Sequence, residues 1–320
     1  MVIGVPNQFI KEWVEQKYTK NILKILIEIN PSVRAVSFQV IRKNMSPIKK
    51  IKPQTFTNNE VLPLNSLYIN KDSGLNPKYL IDNYIVGPFN DVAFAAAQSI
   101  INNPGLSYNP FFVYGPSGFG KTHLLQAIGN TIKKKNSDKF IFYTSLEKFY
   151  MEYVSAATQN KINSFKDKYR KFDVFIMDDI QFITGKEKTQ EEIFHIFNIM
   201  YESNKQIIFS ADVHPNMIVG LDERIRTRFN HGMVVDINLP SIESRLAILK
   251  NKSSQYNKKI NDNILETIAE NITSSIRELE GVLITLIGQI EVRGNLSVKD
   301  VEEMLKTKQK NKKNISIKDI

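Results

Sequence analysis

A glycine-rich run and a pair of adjacent acids have the residue types and the spacing that could do chemistry. Residues 115–122, GPSGFGKT, fit the pattern G-x-x-x-x-G-K-[ST], whose glycines let backbone N–H groups converge on phosphate oxygens. In that pattern Lys121 can reach the outer phosphates, and Thr122 can place its hydroxyl on Mg²⁺. Further along, Asp178 could hold the metal, directly or through water, and Asp179 could orient the attacking water. These residues predict a nucleoside triphosphate site that uses Mg²⁺.

A phosphate loop needs a strand before it and a helix behind it. Residues 111–114, FFVY, are typical of a short buried strand, and Leu124, Leu125 and Ile128 fall at helical spacing behind the loop. The start of that helix adds the positive end of a dipole to the site. Taken alone, the loop could be a chance glycine turn, and the two acids could be exposed residues at the end of a strand.

Strands alternate with helices through the centre of the chain. The predicted strands cover 111–114, 139–144, 174–177, 207–209 and 233–237. Helices are predicted at 91–101 and 146–155, and a Thr189-x-x-Glu192 capping box is predicted to open another. Such alternation indicates a parallel sheet covered by helices on both faces. The fold class is therefore α/β, with a phosphate-loop core around a five-stranded parallel sheet.

Both flanks of this core differ from it in pattern. After Pro240 the sequence is helical only, at 242–250, 264–270, 276–290 and 298–305, which predicts a small all-helical lid. The basic segment 306–313 is predicted to be disordered. At the other end, 5–40 predicts amphipathic helices and a strand at 35–41, a partial α/β segment too small for its own core. The predicted domain limits are 1–45, 46–75 (a linker), 76–239, 240–306 and 307–320.

Composition narrows the class of partner. The chain has 320 residues, no cysteine and a formal net charge of +10, so disulfides and thiolate metal sites are excluded. The four histidines show no ligand spacing, so we predict no structural metal. No signal peptide or apolar run of spanning length is visible, which predicts a cytoplasmic protein. The positive charge favours nucleic acid or an anionic membrane surface as a partner, against the alternative of a solvated lysine-rich surface.

Four further polar side chains are candidates for the same site. Asp212 follows the fourth predicted strand, where it could sense the terminal phosphate or the water, or it could simply begin the turn before Pro215. Arg224 and Arg228 lie four residues apart on one helix face, and Arg277 opens a helix far downstream. Guanidinium groups from a lid or a second subunit commonly stabilise a γ-phosphate. The alternative for each arginine is a surface ion pair, which is worth little.

Several strings resemble the bacterial DnaA-type chromosomal replication initiators, a family of AAA+ ATPases. They include GKTHLL at 120–125, DDIQF at 178–182, DER at 222–224 with RF at 228–229, and RELEG at 277–281. The resemblance covers about residues 76–306. It implies an ATP-dependent initiator of chromosomal replication that assembles on the origin as an ATP-bound filament. It also implies that the filament melts or holds single-stranded origin DNA, with slow ATP hydrolysis as a timer.

The resemblance also implies roles for individual residues. Arg228 resembles the arginine finger that reaches a neighbour's ATP, Arg224 the adjacent arginine of oligomer assembly, and Arg277 the lid sensor of bound nucleotide. The catalytic set is Lys121, Asp178, Asp179 and Arg228. The set that binds ATP or ADP is Gly115, Ser117, Gly118, Gly120, Lys121, Thr122, His123, Asp212 and Arg277, with Thr122 and Asp178 on Mg²⁺.

Other matched positions concern DNA and the base. Val154, Lys186 and Lys188 match positions that in the family face the filament channel and touch single-stranded DNA. Residues 82–87, DNYIVG, resemble the stretch that borders the adenine. The family resemblance implies four partners: further copies of the chain, single-stranded origin DNA, a replicative helicase through the N-terminal segment, and acidic phospholipids.

The sequence departs from the family pattern in three places. Pro116, Ser117 and Phe119 replace more usual choices in the loop, yet none of them removes a phosphate-binding atom. The family's front N-terminal half and its C-terminal helix-turn-helix domain are not among these residues, although 315–320 resembles the start of the latter. We therefore expect no reading of a duplex box. Two alternatives are a regulatory AAA+ partner of a full-length initiator without DNA activity, and an ATPase resembling a helicase loader or transposase helper.

Overall fold

A computed structural model describes residues 2–5, 19, 26, 35–40, 69–70, 72–256, 258–294 and 296–314. The chain divides into two compact units, residues 1–61 and 62–320. Within the described ranges, no helix combines the length and the apolar character that a membrane span needs. The domain limits inferred from the sequence stay predictions.

The first unit contains a small parallel sheet. Strand β1 (Val2–Val5) pairs with β2 (Ser37–Val40), and Val2 lies opposite Ser37. The strand predicted at 35–41 is therefore present but shorter, whereas β1 was not predicted. Thr19 and Leu26 are helical. The rest of the segment predicted to form helices, and most of the linker predicted at 46–75, lie outside the described residues.

A five-stranded parallel sheet organises the second unit. Its strands are β3 (Phe111–Tyr114), β4 (Ile141–Ser145), β5 (Val174–Asp178), β6 (Gln206–Ala211) and β7 (Met233–Asp236). Their order is β4-β5-β6-β3-β7, and every pairing is parallel. The predicted fold class is confirmed, with strand ends that shift by only a few residues. Because all strands run one way, the carboxyl ends of β3, β5 and β6 meet at one edge.

Helices cover both faces of this sheet. They are α1 (Asp91–Asn102), α2 (Lys121–Lys135), α3 (Leu146–Thr158), α4 (Ile162–Arg170), α5 (Glu187–Glu202) and α6 (Glu223–His231). One apolar cluster joins α1, α2 and the sheet, and a second lies under α3 to α6. The sequence did not predict α4, because only Phe165 and Tyr169 of this short lysine-rich helix are buried. Both of their rings pack on Phe149.

The predicted capping box is wrong. Helix α5 begins two residues before Thr189, and the backbone N–H of Thr189 already donates to the carbonyl oxygen of Lys186 at 3.0 Å. Thr189 and Glu192 are only 1% and 4% exposed. Glu192 forms an ion pair with Lys166 of α4 at 3.2 Å. Both residues are therefore buried within α5, and Glu192 contacts α4 instead of capping the helix.

Four helices form the lid, as predicted. They are α7 (Ile242–Gln255), α8 (Asp262–Asn271), α9 (Ile276–Arg293) and α10 (Val298–Asn314). Leu279, Leu283 and Leu286 bury one face of α9. The prediction of disorder at 306–313 is wrong, since α10 continues through this segment. Lysine, glutamate and glutamine are good helix formers, and no glycine or proline interrupts them.

Candidate nucleotide-binding site

The phosphate loop follows β3 and depends on left-handed backbone at its glycines. Gly115, Gly118 and Gly120 have φ values of 148°, 85° and 94°, and residues other than glycine rarely adopt such values. A Cβ on Gly115 would also collide with the carbonyl oxygen of Ile237. Of the three departures in the loop, Phe119 is buried in the core. The loop therefore keeps the backbone shape that the motif predicts.

The loop is tied directly to the lid. The carbonyl oxygen of Gly118 accepts hydrogen bonds from the backbone N–H groups of Ile276 and Arg277, at 3.0 and 3.3 Å. These residues form the first turn of α9, which Ser275 caps through its side chain. A ligand on the loop therefore lies between the core and the lid.

Adding a methyl group at Gly118 should separate the loop from the lid. In Gly118→Ala the new Cβ would lie 2.9 Å from the Cβ of Ser275. The left-handed backbone alone would strain the variant by about 1–3 kcal/mol. We expect the collision to lower ATP affinity at least about tenfold more than this strain does. Gly185→Ala is the matched control, because Gly185 has a φ of 72° and no atom near its Cβ position. Calorimetric titration and thermal unfolding of both variants test this. Equal ATP affinities of the Gly118→Ala and Gly185→Ala variants would contradict the importance of the contact between the loop and the lid.

Lys121 is held inside the loop by oxygen atoms. Its side chain is only 5% exposed, and Nζ lies 2.6 Å from the carbonyl oxygen of Gly115 and 2.8 Å from Oδ1 of Asp212. Asp212 comes from the end of β6, and its backbone N–H donates to Gln181 at 3.2 Å. Asp212 therefore does more than begin a turn. It neutralises the ammonium group that is available to phosphate.

The first acid of the pair is fully engaged. Asp178 is 1% exposed, and its Oδ2 accepts hydrogen bonds from the hydroxyls of Thr122 at 2.6 Å and Tyr143 at 2.8 Å. Its Oδ1 accepts from the Ser210 hydroxyl and from the backbone N–H of Asp179, the latter at 3.1 Å. Four donors, one of them the Thr122 hydroxyl, thus fix the orientation of the Asp178 carboxylate.

The second acid faces the cavity. Asp179 has a left-handed φ of 60°, lines the cavity, and accepts a hydrogen bond from the Gln181 amide at 3.2 Å. Burial raises the pKa of Asp179 above its ordinary value, and the negative charge of Asp178 raises it further. Asp179 is therefore a better proton acceptor than a fully solvated aspartate, while it remains open to a water molecule.

The cavity has a volume of about 350 Å³, within the range of small-molecule sites. Ser117, Lys121, Asp179, Asp212 and Arg277 all line it, so the structure brings together residues that are far apart in the chain. Residues 83–85, from the stretch at 82–87, also line it; that this stretch borders the adenine stays a prediction.

His123 forms one wall of the cavity with two aromatic rings. Its ring lies 5.1 Å from that of Tyr79 and 5.3 Å from that of Tyr84, and its Nε2 lies 3.0 Å from the carbonyl oxygen of Leu80. Burial lowers the pKa of His123. This neutral aromatic wall is suited to a planar base more than to a phosphate. The sequence analysis did not single out Tyr84, although Tyr84 lies within the stretch 82–87 that resembles the family's adenine-bordering segment.

Arg224 and Arg228 do not line this cavity. Their guanidinium groups lie 5.3 and 5.8 Å from the ring centre of Phe194, so the predicted common helix face is confirmed. Arg224 also forms an ion pair with Asp222 at 3.0 Å. The structure therefore directs both arginines away from the nucleotide site of their own chain.

The residues predicted to contact single-stranded DNA lie outside the nucleotide cavity. Val154 on α3 is 39% exposed, and Lys188 on α5 is also exposed. Nζ of Lys186 donates to the carbonyl oxygen of Phe182 at 2.5 Å and lies 5.2 Å from the ring centre of Tyr150. None of the three predicted residues lines the nucleotide cavity.

The sheet order, the phosphate loop, the acid pair and the helical lid define an AAA+ nucleotide-binding module. The family model described as bacterial DnaA ATPase domain matches residues 75–236. The chain therefore belongs to the DnaA family of bacterial chromosomal replication initiator proteins, and it carries that family's ATPase domain.

Relatives and solved structures agree with this assignment. The chain is 41% identical to the chromosomal replication initiator protein DnaA of Geotalea daltonii and 40% identical to that of Deinococcus radiodurans, over 96% and 90% of its length. It covers 68% and 64% of those proteins, so it spans about two thirds of their length. Domain III of the Thermotoga maritima DnaA is 36% identical, with a TM-score of 0.71, and the match covers 73% of this chain and 98% of that one.

A second solved structure carries ligands. It is a replication initiator DnaA bound to AMPPCP and single-stranded DNA, 36% identical to this chain with a TM-score of 0.65. The match covers 75% of this chain and 70% of that one.

Proposed function

We propose that this chain acts as an ATP-dependent initiator of chromosomal DNA replication. The observation that carries the proposal is the convergence of Lys121, Asp179, Asp212 and Arg277 on one cavity between core and lid. A lid residue that lies beside the phosphate loop can respond to whether a γ-phosphate is present. The ATP analogue bound to the related initiator supports the same ligand for this cavity.

The oxygen donors next to the loop fit Mg²⁺. Thr122 Oγ1 lies 2.6 Å from Asp178 Oδ2. The hydroxyl oxygen would bind the ion directly, and the carboxylate, whose two oxygens already accept hydrogen bonds, would hold it through water. Held by Thr122 and Asp178, the ion would offset the negative charge of the phosphates. Asp179 would hold the attacking water in line with the terminal phosphate.

Assembly would couple the nucleotide to the DNA. Arg228, with Arg224 beside it, would reach the ATP of an adjoining copy, so that a filament forms with ATP and not with ADP. Because each site is complete only after assembly, hydrolysis would be slow and would act as a timer. The filament would hold or melt single-stranded origin DNA in the cytoplasm, with a replicative helicase and acidic phospholipids as further partners.

A salt-dependent DNA measurement tests this function. In the Lys186→Ala, Lys188→Ala double variant we expect single-strand affinity in ATP to fall about tenfold or more at low salt, with a shallower salt dependence, because two phosphate contacts are lost. The Lys134→Ala, Lys135→Ala pair removes equal charge from the exposed end of α2 and serves as the control. Fluorescence anisotropy with ATP and with ADP measures both. Equal single-strand binding in ATP and in ADP would overturn the ATP dependence of the proposed function, and absence of single-strand binding in both nucleotides would favour a regulatory partner without DNA activity.

A further inference from the structure

Tyr143 donates a hydrogen bond at the nucleotide site, yet the proposed function gives this residue no role. It lies in edge strand β4, and its hydroxyl donates to Oδ2 of Asp178 at 2.8 Å. The same oxygen accepts the Thr122 hydroxyl at 2.6 Å. A carboxylate oxygen has two lone-pair directions, so these two hydroxyls use both of them.

The other oxygen of the same carboxylate is also engaged. Oδ1 of Asp178 accepts the Ser210 hydroxyl and the backbone N–H of Asp179. With both oxygens engaged, the carboxylate cannot rotate without losing hydrogen bonds in a buried place, where each lost bond is costly. Tyr143 is the donor that shares an oxygen with Thr122, so it affects that hydroxyl most directly.

The backbone of a neighbouring segment, 73–75, holds the backbone of Tyr143 in place. Its N–H donates to the carbonyl oxygen of Ser73 at 2.7 Å. Gly74 follows with a φ of 70°, and a Cβ there would collide with the carbonyl oxygen of Tyr143. Leu75 is buried in the core. The segment 73–75 therefore covers the edge of β4 and fixes the strand from which the hydroxyl projects.

We propose that Tyr143 is a positioning residue for the Mg²⁺ that accompanies the nucleotide, an inference that rests on the proposed function. By occupying one lone-pair direction of Oδ2, Tyr143 confines the Thr122 hydroxyl hydrogen to the other. The Thr122 oxygen then keeps its own lone pairs directed away from Asp178, where a metal ion can use them. Without the phenol, the hydroxyl hydrogen of Thr122 can bond along either lone-pair direction of Oδ2, and the Asp178 carboxylate can rotate.

The test separates metal binding from nucleotide binding. In Tyr143→Phe we expect the Mg²⁺ concentration for half-maximal AMPPCP binding to rise about tenfold, the lower end of the effect of removing an outer partner of a metal ligand. AMPPCP affinity in EDTA should stay within about twofold of the unaltered chain, since no phosphate contact is lost. Calorimetric titration of the full 320-residue chain at a series of Mg²⁺ concentrations gives both quantities.

Tyr169→Phe is the matched control. Tyr169 is also a tyrosine that donates to a carboxylate, Oε2 of Glu152 at 3.1 Å, but it lies on α4 against Phe149 and does not line the nucleotide cavity. Its loss should leave the Mg²⁺ dependence unchanged, and thermal unfolding compares the stability of the two variants. Should Tyr143→Phe not fold, Ser210→Ala removes a donor from the other oxygen of Asp178 and is expected to raise the Mg²⁺ requirement in the same way.

Two outcomes would overturn the role of Tyr143. One is an unchanged Mg²⁺ requirement in the variant that folds. The other is an equal loss of AMPPCP affinity with Mg²⁺ and with EDTA, which would indicate a purely structural effect. Failure of the unaltered chain to bind AMPPCP at all would instead refute the proposed function.

Discussion

Replacing Lys121 with alanine should abolish retention of ATP at micromolar concentrations. The variant removes a buried ammonium that donates to two backbone carbonyls and pairs with Asp212. Without Lys121 the phosphates of bound ATP would lack their cation on this loop, and truncating one partner of a buried, hydrogen-bonded charge pair at a binding site costs about 2–5 kcal/mol, which corresponds to roughly a 30- to 4,000-fold loss of affinity. Calorimetric titration or filter binding measures the loss.

The control for this prediction comes from the same helix. Lys134 is an exposed lysine near the end of α2, so Lys134→Ala removes an equal charge far from the loop and should bind ATP normally. Asp212 is partly exposed, so water can solvate it in the Lys121 variant and folding should be retained. An unchanged ATP affinity in Lys121→Ala would refute the nucleotide site itself.

The second large effect is expected at Arg228. Its guanidinium lies over the Phe194 ring and outside its own nucleotide cavity. In Arg228→Ala we therefore expect ATP affinity of the dilute protein to stay within about threefold. ATP-dependent assembly should be lost, and hydrolysis should fall about 10³-fold, as for other arginine fingers. Sedimentation and phosphate release, each measured over a range of protein concentrations, test this.

Arg170→Ala is the control for charge alone. Arg170 is an exposed arginine of α4 with an ion pair to Asp167 at 3.2 Å, and its removal should change neither assembly nor hydrolysis. If Arg228→Ala lowered the ATP affinity of the dilute protein as much as its hydrolysis, Arg228 would act on the nucleotide of its own chain. The proposal of a donor from an adjoining copy would then be wrong.

Short-range patterns were sufficient for much of this protein. The run 115–122 sets its own backbone, because its glycines adopt left-handed conformations that its other residues would resist. The alternation of apolar strands with amphipathic helices predicted the parallel sheet, since each periodicity follows from local geometry. A run without glycine or proline was enough to continue α10 into the segment where disorder was expected, and there local helix propensity was underestimated.

Only the tertiary structure decided which side chains meet. Lys121 and Asp212 are 91 residues apart, and Tyr143 and Asp178 are 35 apart. Their contacts depend on strand order, which no local pattern records. Thr189 and Glu192, expected to form a cap, are likewise buried inside α5, where Glu192 pairs with Lys166 of α4. The sequence by itself determined the phosphate loop and its acids, because their chemistry is local. The fold decided that Arg277 lines that site and that Arg228 does not, because the lid packs in one of the two apolar clusters and α6 packs in the other.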